Sequence, residues 1–337
     1  MKRLASHHGV ALVVVLWVIV VLSLLIGGFA FTMHVETQVT SFSRKELKAD
    51  ALARSGIEVA RLQLLEHAKT PAEASFDALD QKWASNDEAY RDQLLGDGTF
   101  TVTVTDEQSR LPVNLLSEEQ LRRLMRLLDL DMAEADTVTD SILDWIDGND
   151  LHRINGAETD YYNTLPIPYH AKNAPLDRIE ELLLIRGITP ALYHSRPATA
   201  KHPARPGLKD LLTPFGAEPR INVNTAPPIV LQTMLNLDAP RVAALIEHRN
   251  GGDGILGTPD DQPFRTVEEF LTQFGPADPE LRKEWQAHVT VKSTHFRVTS
   301  TGSVGGVKRT LVVVLVANGT DFEVVSWTMQ RGEGGLP

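Results

Sequence analysis

The densest collection of chemically capable side chains in this sequence is LDWIDGNDLHRINGAETDYY, residues 143–162. It carries the acids Asp144, Asp147, Asp150, Glu158 and Asp160, with Asn149 and Asn155 as neutral oxygen donors. Hard oxygen donors without a cysteine–histidine set favour Ca²⁺ over a transition metal. Against the EF-hand pattern the match is partial. Asp147, Asn149 and Glu158 take the first, third and twelfth places, but Leu151 fills the fifth and His152 replaces the glycine of the sixth. The candidate calcium ligands are therefore Asp144, Asp147, Asn149, Asp150, Glu158 and Asp160. A solvated acidic turn closing a helix near Ile146 accounts for the same residues. A second acidic loop, GGDGILGTPDDQPF, offers Asp253, Asp260 and Asp261 as a weaker cation site. Its glycines and Pro259 equally make an exposed linker between two helices.

Other chemistries find little support. The chain has no cysteine, which excludes disulfides, zinc–thiolate sites and a cysteine nucleophile. The patterns G-x-S-x-G, H-E-x-x-H and G-x-x-x-x-G-K-[ST] are absent. Asp144 and Asp147 as an acid–base pair would sit three residues apart beside a Gly-Asn turn, where a cation or solvent explains them more simply. No enzyme is expected. The net charge of −11 repels nucleic-acid phosphates. One stretch argues the other way: INVNTAPPIVLQTMLNLDAPRVAALIEHRN is similar to helix-hairpin-helix modules that grip phosphates through a glycine-containing turn. Here the turn is LNLDAPR, without glycine and with an added acid at Asp238, which reads as a packing unit. A membrane-tethered helix-hairpin-helix protein for DNA binding or uptake is the alternative function.

Elements that could position these residues follow from patterning. From Val10 to Met33 there is no ionisable side chain. As a helix this run spans ~36 Å, against a hydrocarbon core of ~30 Å. Lys2 and Arg3 precede it and Glu36 follows, which predicts a cytoplasmic N-terminus with the remaining chain across the membrane. A cleaved secretory signal ending near Gly28-Phe29-Ala30 competes with this reading. Against it, Val35, Val39, Phe42, Ala49, Ala53, Gly56, Ala60 and Leu64 continue one helical stripe, broken only at Glu46. Residues 70–95 read as a polar connector. GDGTFTVTVTDEQSRLPVNL predicts a half-buried strand, and the last 40 or so residues predict two or three more. Residues 116–287 between them read as nearly all helix, with a capping box at Ser117 and Gln120.

A short basic leader ending in glycine, an apolar helix directly behind it and an amphipathic continuation resemble type IV pilins and the pseudopilins of type II secretion. The resemblance implies that a prepilin peptidase cuts between Gly9 and Val10 and methylates the new amino terminus. Two positions depart from the family. Val10 stands where phenylalanine is usual, and Val14 stands where a membrane-embedded glutamate is usual. A carboxylate at that depth costs roughly 2.5–3.5 kcal/mol unless paired, its pilin partner being the amine of the adjacent subunit. Valine inserts favourably but cannot neutralise that amine, which suits a subunit at the end of a filament.

DSILDWIDGND, NGAETDYY, KNAPLDRIEELLLIRGI, INVNTAP and the large helical insert narrow the resemblance to a minor branch of the pseudopilins. That branch implies an α+β fold: a long N-terminal helix packed on a small antiparallel sheet, with a large all-α insertion domain. The expected division is leader 1–9, transmembrane helix 10–33, its soluble half 34–69, connector and first strands 70–115, helical insertion 116–287, C-terminal strands 288–331 and tail 332–337. The implied job is a minor pseudopilin at the tip of a pseudopilus, initiating or capping its assembly for export of folded proteins. Implied partners are other minor pseudopilins, the major pseudopilin, the prepilin peptidase, the inner-membrane secretion platform and exported substrate, with no nucleic acid. The resemblance also implies calcium in the insert and a single-pass inner-membrane protein with a periplasmic C-terminal domain.

Overall fold

The computed structural model describes residues 8–71, 73–85, 87–198, 204–319 and 321–330; leader residues 1–7 and the tail 332–337 lie outside the described residues. One unbroken helix runs from His8 to Lys69. Its N-terminal part is apolar and long enough to cross a membrane, and its side chains from Ala11 to Ser43 are exposed on every side. The lower half behaves differently. Ala49, Leu52, Ala53, Gly56, Ile57, Ala60 and Leu64 are buried, whereas Val35, Val39 and Phe42 of the same stripe are exposed. The stripe therefore serves two surfaces, packing on this chain's own sheet only below Glu46. Glu46, its one interruption, forms an ion pair with Arg309 of the sheet.

The sheet has five antiparallel strands in the order β1 (Gln93–Leu95), β2 (Gly98–Asp106), β7 (His295–Val304), β8 (Val307–Asn318) and β9 (Asp321–Gln330). Phe100, Val102, Val104, Phe296, Val298, Leu311, Val313 and Leu315 form its inner face with the helix. The strict alternation of β2 and β7 between buried and partly exposed positions matches the period of two that a one-sided sheet requires. Helix and sheet approach closely at two glycines. A Cβ on Gly302 would overlap the Ala49 carbonyl, and one on Gly56 would overlap the Ser300 hydroxyl.

The insert enters and leaves at neighbouring strand ends. Asp106, the last residue of β2, is paired with Phe296 near the start of β7. A long excursion between adjacent antiparallel strands leaves the hairpin pairing intact, and closure entropy grows only slowly with loop length. Trp83 and Phe296 pack edge to face here, and His67 from the last turn of the long helix lies beside Trp83. The insert therefore sits at the helix's Lys69 end, away from the apolar segment.

The insert has its own core, and packing draws its limits wider than 116–287. Leu111 and Val113 at one end, and Val289 and Val291 at the other, belong to it. Two short parallel pairs fix these margins: β3 (Leu111–Pro112) with β4 (Leu212–Thr213), and β5 (Ile221–Asn222) with β6 (Val289–Thr290). The region is also less helical than its sequence suggests. Helices at Glu118–Leu127, Met132–Ile146, Pro228–Leu235, Ala239–Arg249, Val267–Phe274 and Pro279–His288 alternate with long irregular segments. PLDRIEELLLI forms only a 3-10 turn at Ile179–Leu184. Residues 70–95 likewise form more than a connector. Phe76 and Ala78 enter the insert core, while Trp83 and Tyr90 enter the core of the sheet.

Candidate functional site

The acidic loop starts where the helix Met132–Ile146 ends. That helix has no basic residue in its last turn and closes on Asp147 with Asp144 one turn earlier. Carboxylates at the negative end of a helix dipole are unfavourably placed, so a compensating cation is required. Arg153 supplies it. Its Nη1 donates to Asp144 Oδ1 at 2.7 Å and to Asp147 Oδ2 at 2.8 Å, and its backbone N–H donates to the Asp144 carboxylate at 3.1–3.2 Å. Asp147 Oδ1 accepts from Asn149 N–H and Nδ2, and Asn149 Oδ1 accepts from Leu151 N–H, so two short side-chain turns fold the loop back. Gly156 completes the closure, because a Cβ there would overlap Asp144 Oδ2.

The other candidate ligands are distributed unevenly. Asp150 accepts from Asn173 Nδ2 at 2.8 Å, and Asp160 accepts from the Tyr161 N–H at 2.7 Å. Glu158 is only 1% exposed, and neither of its carboxylate oxygens has a hydrogen-bond partner. Burial first, then the negative charges of Asp144, Asp147, Asp150 and Asp160, push its pKa up to about 7. Among the described residues, no three His, Asp or Glu side chains already converge on one ion-sized position. The loop instead juxtaposes two carboxylates bridged by a guanidinium with a third, buried carboxylate that lacks any partner. An orphaned buried carboxylate among hard oxygen donors fits a divalent cation.

The second acidic loop is closed on itself. Asp260 accepts from the Gly252 and Asp253 N–H groups and from Thr258 Oγ1, Asp261 accepts from Gly257 N–H, and Asp253 accepts from Ile255 N–H. Its carboxylates shape a turn. In the hairpin between Pro228–Leu235 and Ala239–Arg249, Asn236 adopts a left-handed backbone (φ 51°) where a phosphate-gripping module would have glycine. Asp238 caps the second helix by accepting from Arg241 N–H at 2.9 Å. A carboxylate thus already occupies the amide end that a phosphate would need. At the N-terminus, Gly9 and Val10 lie within the helical backbone, and Val14 is exposed on its surface.

A further constellation was not anticipated from sequence: a buried polar junction between sheet and insert. Asp106 Oδ2 accepts from Thr225 Oγ1 (2.6 Å), Ser293 Oγ (2.6 Å) and Asn222 Nδ2 (3.1 Å). Asp77 Oδ2 accepts from Ser293 N–H at 2.6 Å, while its Oδ1 lies 2.7 Å from His67 Nε2. Asn224 exchanges hydrogen bonds with the Phe264 backbone in both directions. INVNTAP is thus the segment that bolts the insert to β2 and to the end of the long helix. Glu107 adds a second buried anchor, accepting from Thr213 and Arg297.

Two family models match this chain, at residues 99–197 and 221–292, and both describe protein K of the type II secretion system. Together they span about half of the chain. It belongs to the protein K family of minor pseudopilins in type II secretion. Relatives of the same description are similar end to end. The Pseudomonas aeruginosa protein is 24% identical over 98% of this chain and 95% of its own length, and that of Aeromonas hydrophila is 26% identical over 99% of each. The crystal structure of the GspK–GspI–GspJ complex from enterotoxigenic Escherichia coli contains a chain with the same fold, at a TM-score of 0.70 and 22% identity over 87% of this chain and 99% of that one. The α+β, pilin-like fold expected from sequence is thereby established. The two matched segments of protein K carry the site geometry: the first includes Asp106 and the whole acidic loop, and the second opens on Ile221 of INVNTAP.

Proposed function

We propose that this minor pseudopilin occupies the tip of a short periplasmic pseudopilus, where it initiates or caps assembly for protein export. The observation that carries this reading is the mounting of a bulky insert on the far pole of the pilin unit, opposite the apolar helix segment. A subunit stacked beyond it would meet the insert rather than another pilin unit. Val14 supports the same position, since a helix without the usual glutamate has nothing to pair with the amine of a neighbour further along. The exposed Val35, Val39 and Phe42, beyond the helix's contact with its own sheet, offer an apolar stripe to neighbouring helices. Other minor pseudopilins are the natural occupants, by analogy with the GspK–GspI–GspJ complex; the major pseudopilin, the secretion platform and exported substrate would be met below and around them.

In this reading a prepilin peptidase cuts between Gly9 and Val10, the helix stays in the inner membrane, and the C-terminal domain is periplasmic. Work is done by assembly, and no catalytic step is assigned to the chain. The acidic loop would hold Ca²⁺ through Glu158, Asp144 and Asp147, with Asp150 and loop carbonyls within the same segment. The ion would bring further positive charge to the negative end of the helix. Gold labelling of the insert in isolated pseudopili tests the position: label at one filament end is expected, and label distributed along the shaft would sink the tip reading. The mature chain should carry a methylated N-terminal Val10 by mass spectrometry; a start near Phe31 would instead mark a cleaved secretory signal.

A further inference from the structure

The acidic loop contains its own cation, and that cation occupies the oxygens a metal would need. Asp144 is fully buried, and its carboxylate is held by the backbone and side chain of a single residue, Arg153. The same guanidinium nitrogen reaches Asp147 at 2.8 Å, so one –NH₂ group bridges two carboxylates at a helix C-terminus. Beside them Glu158, sealed from solvent, has no hydrogen-bond partner on either oxygen. Two carboxylates therefore share one monovalent positive charge, and the third has none. Arg153 is itself about one-third exposed (36%) and has an open route to solvent.

We propose that Arg153 is the resident counter-ion of this loop: it holds Asp144 and Asp147 in place without a divalent cation and must leave when one binds, thereby setting the calcium concentration at which the loop responds. This rests on the calcium reading above. The exchange is asymmetric in charge. A guanidinium satisfies two carboxylates by directed hydrogen bonds, whereas Ca²⁺ accepts six to eight oxygens in flexible geometry and can recruit Glu158 and nearby carbonyls as well. Mg²⁺, which demands tighter geometry and gives up its waters reluctantly, is the poorer competitor for oxygens already held by an arginine. A pocket that kept all its carboxylates unpaired until the ion arrived would repel itself open. Arg153 prevents this, and calcium affinity is lower as a consequence.

The test uses the detergent-solubilised full-length protein, freed of divalent ions with EDTA and titrated with CaCl₂ by calorimetry and by thermal melting. Arg153→Gln should lower the melting temperature in EDTA by several degrees, because Asp144 loses its charged partner and keeps only the backbone N–H. It should also tighten calcium binding by about tenfold, with wild type and variant melting together at saturating calcium. Should Arg153→Gln fail to fold in EDTA, Arg153→Lys makes the same comparison, since lysine keeps the charge but loses the forked geometry. A lower calcium dissociation constant than wild type then supports the proposal. Unchanged or weaker calcium binding in the variant, with wild type still responding, overturns the role of Arg153 and leaves the calcium site standing. No calcium response in either protein overturns both.

Discussion

Asp106 is the residue on which sheet and insert depend together. It is fully buried, and burial outweighs the Ser293 and Thr225 hydrogen bonds to lift its pKa from 3.8 to about 6. The folded state therefore binds this proton more tightly than the unfolded chain does. Its contribution to stability is full below about pH 4 and is lost as pH rises through about 6, a swing on the order of 3 kcal/mol. Melting temperatures of wild type should thus decline between pH 4 and 6 relative to those of Asp106→Asn, which cannot ionise; parallel curves would show that Asp106 titrates as an ordinary carboxylate. Asp106→Ala should cost about 2–4 kcal/mol in chemical denaturation, since Asn222, Thr225 and Ser293 would lose a shared acceptor. Much of this scale was hidden in the sequence. The acidic residues of 143–162 advertise themselves by type and density, but Arg153 looks like any surface arginine until the loop folds back. Asp106 and Asp77 sit among ordinary polar residues, and only burial makes them distinctive.

At the scale of elements, the contact between the long helix and the sheet is made by small residues. Gly302 on β7 faces the Ala49 carbonyl with no room for a side chain. Gly302→Val should force the helix off the sheet and destabilise the pilin unit by several kcal/mol, read as a drop in the denaturant midpoint. Gly306→Ala, at an open turn position with positive φ, should cost about 1 kcal/mol through backbone strain alone. The long helix was legible because its apolar run and its stripe are both periodic. The connector was not: Phe76, Trp83 and Tyr90 recur at a seven-residue spacing that suits a helix, yet the segment is mostly turns and the three enter two different cores, so their burial reflects tertiary contacts alone. PLDRIEELLLI shows the opposite error, a helical pattern shortened to a 3-10 turn where the insert core turns.

The whole molecule consists of two cores joined at one pole. The sheet core and the insert core are separate clusters that meet through Asp77, Asp106, Asn222 and Ser293. Replacing residues 108–294 with a two-residue type I′ turn, which joins 107 to 295 in the register set by Asp106 and Phe296, should therefore leave β2 and β7 paired. The shortened protein should melt cooperatively with retained helix and sheet signals in circular dichroism. Non-cooperative melting would mean that the insert is needed to fold the sheet. The sequence indicated that an insertion was present and roughly where it lay, because the strand patterns flanking it are strong. Its margins were blurred because β3 to β6 are each two residues long, too short to leave a periodic signature.

The pairing of Asp106 with Phe296 also decides how the protein would bear tension. Both chain connections to the insert emerge from the same end of adjacent strands, so a pull on the insert draws β2 and β7 in one direction as a unit. Their mutual ladder is then unstressed, and the force passes to the long helix packed on them and to the boundary of β7 with β8. That boundary, paired from His295–Val316 to Val304–Val307, is loaded along the strands. Its hydrogen bonds must therefore yield together in shear instead of unzipping one after another, and the attachment of the insert is mechanically stiff in the direction in which a tip would be pulled.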